Sequence, residues 1–217
     1  TNETFMAGRY HFNIPGRPDA SIVNLGTITA SNAGFAALVA PGVRNSGTIT
    51  ANFGKIGLAS ANGFSLDFYG DKLIQLDVND QIAGNVRDVA TGETLRSLVQ
   101  NDGKLKANGG RVELTAVAAR QVVDSVINTS GVIEARSIGR HGGKIVLGAA
   151  TGTSKPAGAP TQTVKVSGKL TVASRRSKGG KVQITGENVE IADAHIDASG
   201  LAGGGTVLIG GDIGGGR

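Results

Sequence analysis

The chain has 217 residues, 35 of them glycine, with six phenylalanines, two tyrosines and no tryptophan, so aliphatic and small side chains must supply most of any core. It contains no cysteine, which excludes disulfide staples and thiolate metal sites. The 22 basic and 17 acidic residues leave a mild +5, no apolar run reaches the roughly 18 residues that span a bilayer, and the opening TNETFMAGRY lacks the basic-then-apolar layout of a signal peptide.

All the aromatics fall between Phe5 and Tyr69. The segment FMAGRYHFNIPG, with its Pro-Gly turn, is suited either to cap the open end of a stack or to fill slightly wider coils near it. A repeat starts directly afterwards. NLGTITA from Asn24 returns as NSGTITA from Asn45, NDGKLKA from Asn101, TSGVIEA from Thr129, VSGKLTV from Val166 and ADAHIDA from Ala192. A second word follows most copies: GKIGLAS from Gly54, GGRVELTA from Gly109, GGKIVLGA from Gly142, GGKVQITG from Gly179 and GGTVLIGG from Gly204.

Each word alternates apolar and polar residues, the two-residue period of a half-buried strand. In GGKVQITG, Val182 and Ile184 share one face, while Lys181, Gln183 and Thr185 share the other. One such unit cannot bury its apolar row alone, whereas stacked coils pair backbone with backbone and gather Val, Ile and Leu into internal ladders. Ile28 and Ile49 are expected to be successive rungs of one ladder. A β-sandwich also has many short strands, but it does not require the same two words in the same order. The expected fold is therefore an all-β parallel β-solenoid. At about 20 to 25 residues per coil it has about nine or ten coils.

Between the repeats, DQIAGNVRDVATGETLRSLVQ contains ATGE between short apolar runs and predicts a hairpin or an excursion from the stack. VAARQVVDSVI, from Val117, is rich in β-branched residues and is read as extended structure with a turn. TGTSKPAGAPTQ, from Thr151, is a loop. The final GGDIGGGR carries nothing to cover a strand edge, and the natural protein is expected to continue past Arg217.

With the repeat in view, the wording resembles a family. ALVAPGVRNSGTITANFGKIGLASANGFSLDFYGDKLIQLDV, from Ala37, resembles the filamentous haemagglutinin family of bacterial two-partner-secretion exoproteins. FMAGRYHFNIPG is similar to the family's preceding segment, and ARQVVDSVINTSGVIEARS with GGGTVLIGGD to its following repeats. The resemblance implies a right-handed parallel β-helix, secreted through a dedicated outer-membrane barrel partner and displayed at the bacterial surface for adhesion, aggregation or presentation. It assigns 1–78 to the aromatic-containing secretion and haemagglutination-like domain and 79–217 to continuing repeats of one solenoid. The family's upstream Asn-Pro-Asn motif does not occur, so the resemblance places the start of this chain after it.

Some parallel β-helices cleave polysaccharides, which usually takes two carboxylates at a set separation. Here Asp67, Asp71, Asp77, Asp80, Asp193 and Asp197 form no recognisable pair, and RHGG at Arg140 lacks companion aspartates. His11, His141 and His195 have no zinc spacing, and the glycine-rich words open no helix and end in no GKS or GKT. Neither catalysis, metal nor cofactor is expected. The informative charge is local: from Arg136 to Lys181 there is no Asp or Glu but ten basic residues, namely Arg136, Arg140, Lys144, Lys155, Lys165, Lys169, Arg175, Arg176, Lys178 and Lys181. Stacked near register they would form a flank for anionic glycan, and the absence of aromatics in that interval disfavours specific single-stranded nucleic acid. Charge of this kind also simply solvates a solenoid and discourages edge pairing. Exposed edges at the two ends of the stack leave head-to-tail self-association into a filament as a further expectation.

Overall fold

A computed structural model describes residues 11–12, 17–66, 74–76, 82, 84–117, 119, 122–123, 125–149 and 162–210. They form three parallel sheets of six strands each. The first sheet runs through Ser21–Asn24, Gly42–Asn45, Ser97–Asn101, Ser125–Thr129, Thr163–Val166 and Asn188–Ile191. The second runs through Thr27–Thr29, Thr48–Thr50, Lys104–Lys106, Val132–Glu134, Lys169–Thr171 and His195–Asp197. The third contains Phe35–Ala40, Lys55–Ser60, Arg111–Ala116, Lys144–Ala149, Lys181–Thr185 and Thr206–Gly210. One strand of each makes a coil, and every strand pairs only with its equivalents on adjacent coils. The fold is a right-handed parallel β-helix.

Alternation fixes which side chains enter it. Ile28 pairs with Ile49, and the column continues through Leu105, Ile133, Leu170 and Ile196. The four inner members are fully buried, each worth about 2 to 3 kcal/mol of apolar transfer. On the third sheet Leu38, Leu58, Leu114, Leu147, Ile184 and Ile209 stack in the same way. The first sheet carries a polar column beside its aliphatic one. Asn24 donates to Asn45 at 2.7 Å, Asn45 to Asn101 at 2.8 Å and Asn101 to Thr129 at 3.2 Å, all buried.

The stack has six coils among the described residues, where length alone gives about nine or ten. Not every residue between the ladders belongs to a coil. Neighbouring asparagines of the ladder are 21 residues apart from Asn24 to Asn45 but 56 apart from Asn45 to Asn101, because the chain leaves the stack in between.

Two strands of that excursion, Phe64–Leu66 and Ile74–Leu76, join His11–Phe12 in a fourth sheet, which is antiparallel. Phe12 stacks on Phe64 with ring centroids 4.7 Å apart. Phe64 packs with Phe35, Ala37 and Val39 around Ala59. These are the outward positions of the third sheet, so the described aromatics here cover its outside rather than filling the lumen. The rest of FMAGRYHFNIPG lies outside the described residues.

The predicted hairpin is present, closed by an Arg87–Thr94 bridge with Gly92 at φ 76°. Asp88 holds it: Oδ1 accepts the amides of Ala90 and Thr91, and Oδ2 meets Arg44 Nε at 2.7 Å, with only 19% of the Arg44 side chain and 5% of the Asp88 side chain exposed. Asp88→Ala leaves a largely buried guanidinium without this carboxylate. Amide exchange around Val86 and Leu95 is expected to quicken at least about tenfold, with the Ile49 ladder unchanged. Hydrogen exchange read by mass spectrometry checks both halves. Within VAARQVVDSVI, Val122 closes a turn on Ala119 and Ser125 begins a strand, while TGTSKPAGAPTQ, expected as a loop, lies outside the described residues up to Gln162.

Candidate functional site: a basic corner

The chain turns from the second sheet into the third at one corner of every coil. In the second and third coils the turn is short, ANFG and ANGG, with Phe53 at φ 56° and Gly109 at φ 72° in equivalent places. In the fourth and fifth coils it lengthens to RSIGRHGG and SRRSKGG. These longer turns are held by their serines. The Ser137 amide donates to Ala173 O at 3.2 Å on the next coil, and the Gly143 amide donates to Ser137 Oγ at 3.0 Å. Ser174 Oγ accepts the Ser177 amide at 3.0 Å and lies 2.7 Å from Ser177 Oγ. Ile138 and His141 exchange backbone hydrogen bonds around Gly139, leaving Arg140 at the tip.

The corner gathers Arg136, Arg140 and Lys144 from one coil and Arg175, Arg176, Lys178 and Lys181 from the next, with Lys144 and Lys181 in direct register. Between the two turns runs a groove of about 440 Å3, walled by Asn108, Arg136, Ile138, Ser174, Arg175 and Arg176. The remaining three basic residues are elsewhere. Lys165 lies on the first sheet, 3.1 Å from its register partner Glu190; Lys169 opens a strand of the second sheet; Lys155 lies outside the described residues.

No family model matches the chain. It is 38% identical over 56 residues to the heme/hemopexin-binding protein of Haemophilus influenzae, a stretch covering 26% of this chain and 6% of that protein. Its fold matches the crystal structure of the HMW1 secretion domain from Haemophilus influenzae with a TM-score of 0.69 and 25% identity, over 99% of this chain and 50% of the other. The chain resembles a two-partner-secretion exoprotein. It spans half of the solved chain and a small part of the curated relative. The likeness is to proteins secreted to the cell surface or extracellular space.

Acidic groups temper the corner at one side. Glu134 lies 4.0 Å from Arg136 and 3.5 Å from Lys104. Asp197 accepts the Ser199 amide at 2.9 Å. That amide first, the Ser199 hydroxyl next, and the charges of His195 and Arg136 hold the Asp197 carboxyl below its usual range. Arg175, Arg176 and Lys178 are exposed and form no ion pair with the described carboxylates. Among the described residues no three His, Asp or Glu side chains group as a cation cage.

Sequence reasoning missed two parts of this corner. The first is Phe53, which lies outside the acid-free interval but is brought edge-to-face with His141 at 5.5 Å. Its ring passes over Gly109, where a β-carbon would come within 2.6 Å of it. The second is a column, Lys55, Arg111, Lys144 and Lys181, in direct register on four successive coils. The signal was available: four of the five second words have a basic residue immediately after a glycine.

Proposed function

We propose that this chain is part of a non-enzymatic exoprotein rod, exported through an outer-membrane barrel partner, that acts by extension, display and adhesion, with the basic corner as its contact surface for anionic glycan. In this reading 1–78 is the secretion and haemagglutination-like part and 79–217 its continuing repeats. The observation that carries it is the likeness to a solved secretion domain along nearly the whole chain. The corner supplies the contact because its arginines and lysines converge from two coils onto one groove, where carboxylate or sulfate groups can be met by paired guanidinium donors.

A polysaccharide-cleaving reading lacks such support. Asp88, Glu113, Glu134 and Glu190 lie within ion-pair distance of Arg or Lys, and Asp197 has Thr171, not an acid, as its register partner. Co-expressed with its barrel partner, the full protein is expected at the surface, where it is shaved by added protease and confers adherence to beads coated with acidic glycan. Arg175→Ala with Arg176→Ala is expected to cut adherence about tenfold while leaving surface display intact. Equal adherence of the double variant, or turnover of the glycan by the purified chain, overturns the reading.

A further inference from the structure

At the corner each coil sets one residue over its equivalent in the next, and the groove opens where that column changes. Asn52 Oδ1 accepts the Asn108 amide at 3.3 Å, and Asn108 Oδ1 accepts the Arg136 amide at 2.9 Å, so these three follow one another on the second, third and fourth coils. On the fifth coil the position falls to Ala173, whose carbonyl accepts the Ser137 amide at 3.2 Å as that of Arg136 accepts the Gly109 amide at 2.7 Å. A methyl group there leaves open the space a longer side chain would take, and the two lengthened turns wall it in. At about 440 Å3 the groove is near the lower end of the range for small-molecule sites.

Most acceptors around it are already engaged. The carbonyls of Asn108, Arg136, Ile138, Ala173 and Ser174 each accept an amide, and so do Asn108 Oδ1, Ser137 Oγ and Ser174 Oγ. Among the described residues no Asp or Glu lines the groove. Donors are what remain. The bond from the Arg136 amide fixes which atom of the Asn108 side-chain amide is the oxygen, and its Nδ2 has no partner among the described residues. Arg136 is shared with Glu134, 4.0 Å away, so the uncompensated charge of the wall comes from Arg175 and Arg176. Ile138, 42% exposed, and Ala173 add an apolar side.

We infer that this groove seats one sugar bearing a carboxylate or sulfate, the anionic group on Arg175, Arg176 and Asn108 Nδ2 and a C–H face of the ring against Ile138 and Ala173. This rests on the reading of the corner as a contact surface for anionic glycan, and adds that a single unit is recognised in the groove rather than charge spread along a polymer. A wall of donors matches an oxyanion, whose oxygens only accept. A free inorganic anion satisfies those donors but leaves the apolar side wet. A neutral sugar covers the apolar side but forgoes the charge-assisted bonds of two guanidinium groups.

The test is titration of the full chain, followed by nuclear magnetic resonance, with methyl glucuronide, glucose 6-sulfate, glucose, inorganic sulfate and chondroitin sulfate fragments from disaccharide to dodecasaccharide. Both anionic sugars are expected to bind at least about tenfold more tightly than glucose or sulfate, the tighter of the two naming the group, and the fragments to gain less than about threefold with length. Ala173→Asn restores the side chain carried by the second and third coils and keeps every charge; it is expected to cut affinity for both sugars at least about tenfold. Asn108→Asp keeps the acceptor for the Arg136 amide but turns the donor into an oxygen, with a loss of the same size expected. Unfolding curves matching the parent chain qualify each variant, and Asn108→Asp decides alone should Ala173→Asn fail to fold. Parent-level binding by the qualified variants, or affinity that rises about tenfold or more with fragment length, overturns the inference and leaves the contact surface standing. Equal binding of glucose overturns the anionic requirement, and equal binding of sulfate overturns the sugar. Absence of binding by every sugar and fragment overturns both readings.

Discussion

Gly103→Ala is expected to destabilise the helix by about 3 kcal/mol or more, while Gly26→Ala, in the same column of turns, changes stability by less than about 1 kcal/mol. The difference is what an added β-carbon meets. At Gly103 it would fall on the carbonyl oxygen of Gly47 in the coil before, and within 2.7 and 2.9 Å of two more backbone atoms. None of these is a side chain that can swing away. The same oxygen accepts the Lys104 amide at 2.8 Å, so moving it aside breaks the ladder that joins the second and third coils. Among the described residues a β-carbon at Gly26 meets nothing within 4 Å. Because coils are stabilised chiefly by their neighbours, the damage at Gly103 is expected to divide urea unfolding into two transitions. A single transition with the parent midpoint would contradict this account of the turn glycines.

The same column shows why the scaffold was legible and the site less so. GTITA at Gly26 and Gly47 carries its fold in three features that sequence displays directly: a small residue at the close approach, an apolar residue inside, and threonines outside. Ile28 and Ile49 do pair. The number of coils depended on residues with no such signature, because the hairpin closed by Arg87 and Thr94 lies within the step from Asn45 to Asn101. Phe35 and Phe64 were visible as aromatics but not as outward-facing ones, since their cluster needs an antiparallel partner that only the folded chain supplies. At the corner, the absence of acids between Arg136 and Lys181 marked the region. It could not separate Lys165, paired with Glu190 on another sheet, from Arg175 at the groove. Phe53 joins from a coil two turns away, through stacking rather than through sequence proximity.

Asn45→Val is expected to cost about 2 to 5 kcal/mol, and a chain with Asn24, Asn45, Asn101 and Thr129 all replaced by valine is expected to lose less than that single variant. Asn45 is fully buried, accepting from Asn24 Nδ2 at 2.7 Å and donating to Asn101 Oδ1 at 2.8 Å. Valine there leaves one amide donor and one carbonyl acceptor facing it inside the stack, each with its desolvation cost uncompensated. Replacing the whole column removes the stranded groups together with their partners. The fold already accommodates such a column, since Thr129 is followed in register by Val166 and then Ile191. Some loss must remain, because Asn24 Oδ1 also accepts the Gly26 amide at 3.2 Å and Asn45 Nδ2 reaches Gly47 O at 3.3 Å, contacts that help set the turn into the second sheet. Guanidinium unfolding of the single, paired and fourfold variants measures the coupling. Strictly additive losses would mean that the asparagines act one by one through their turns. Recovery in the fourfold variant would instead identify a single hydrogen-bonded unit that penalises any slip of one coil past the next, since a one-residue slip would carry these amides to the opposite face.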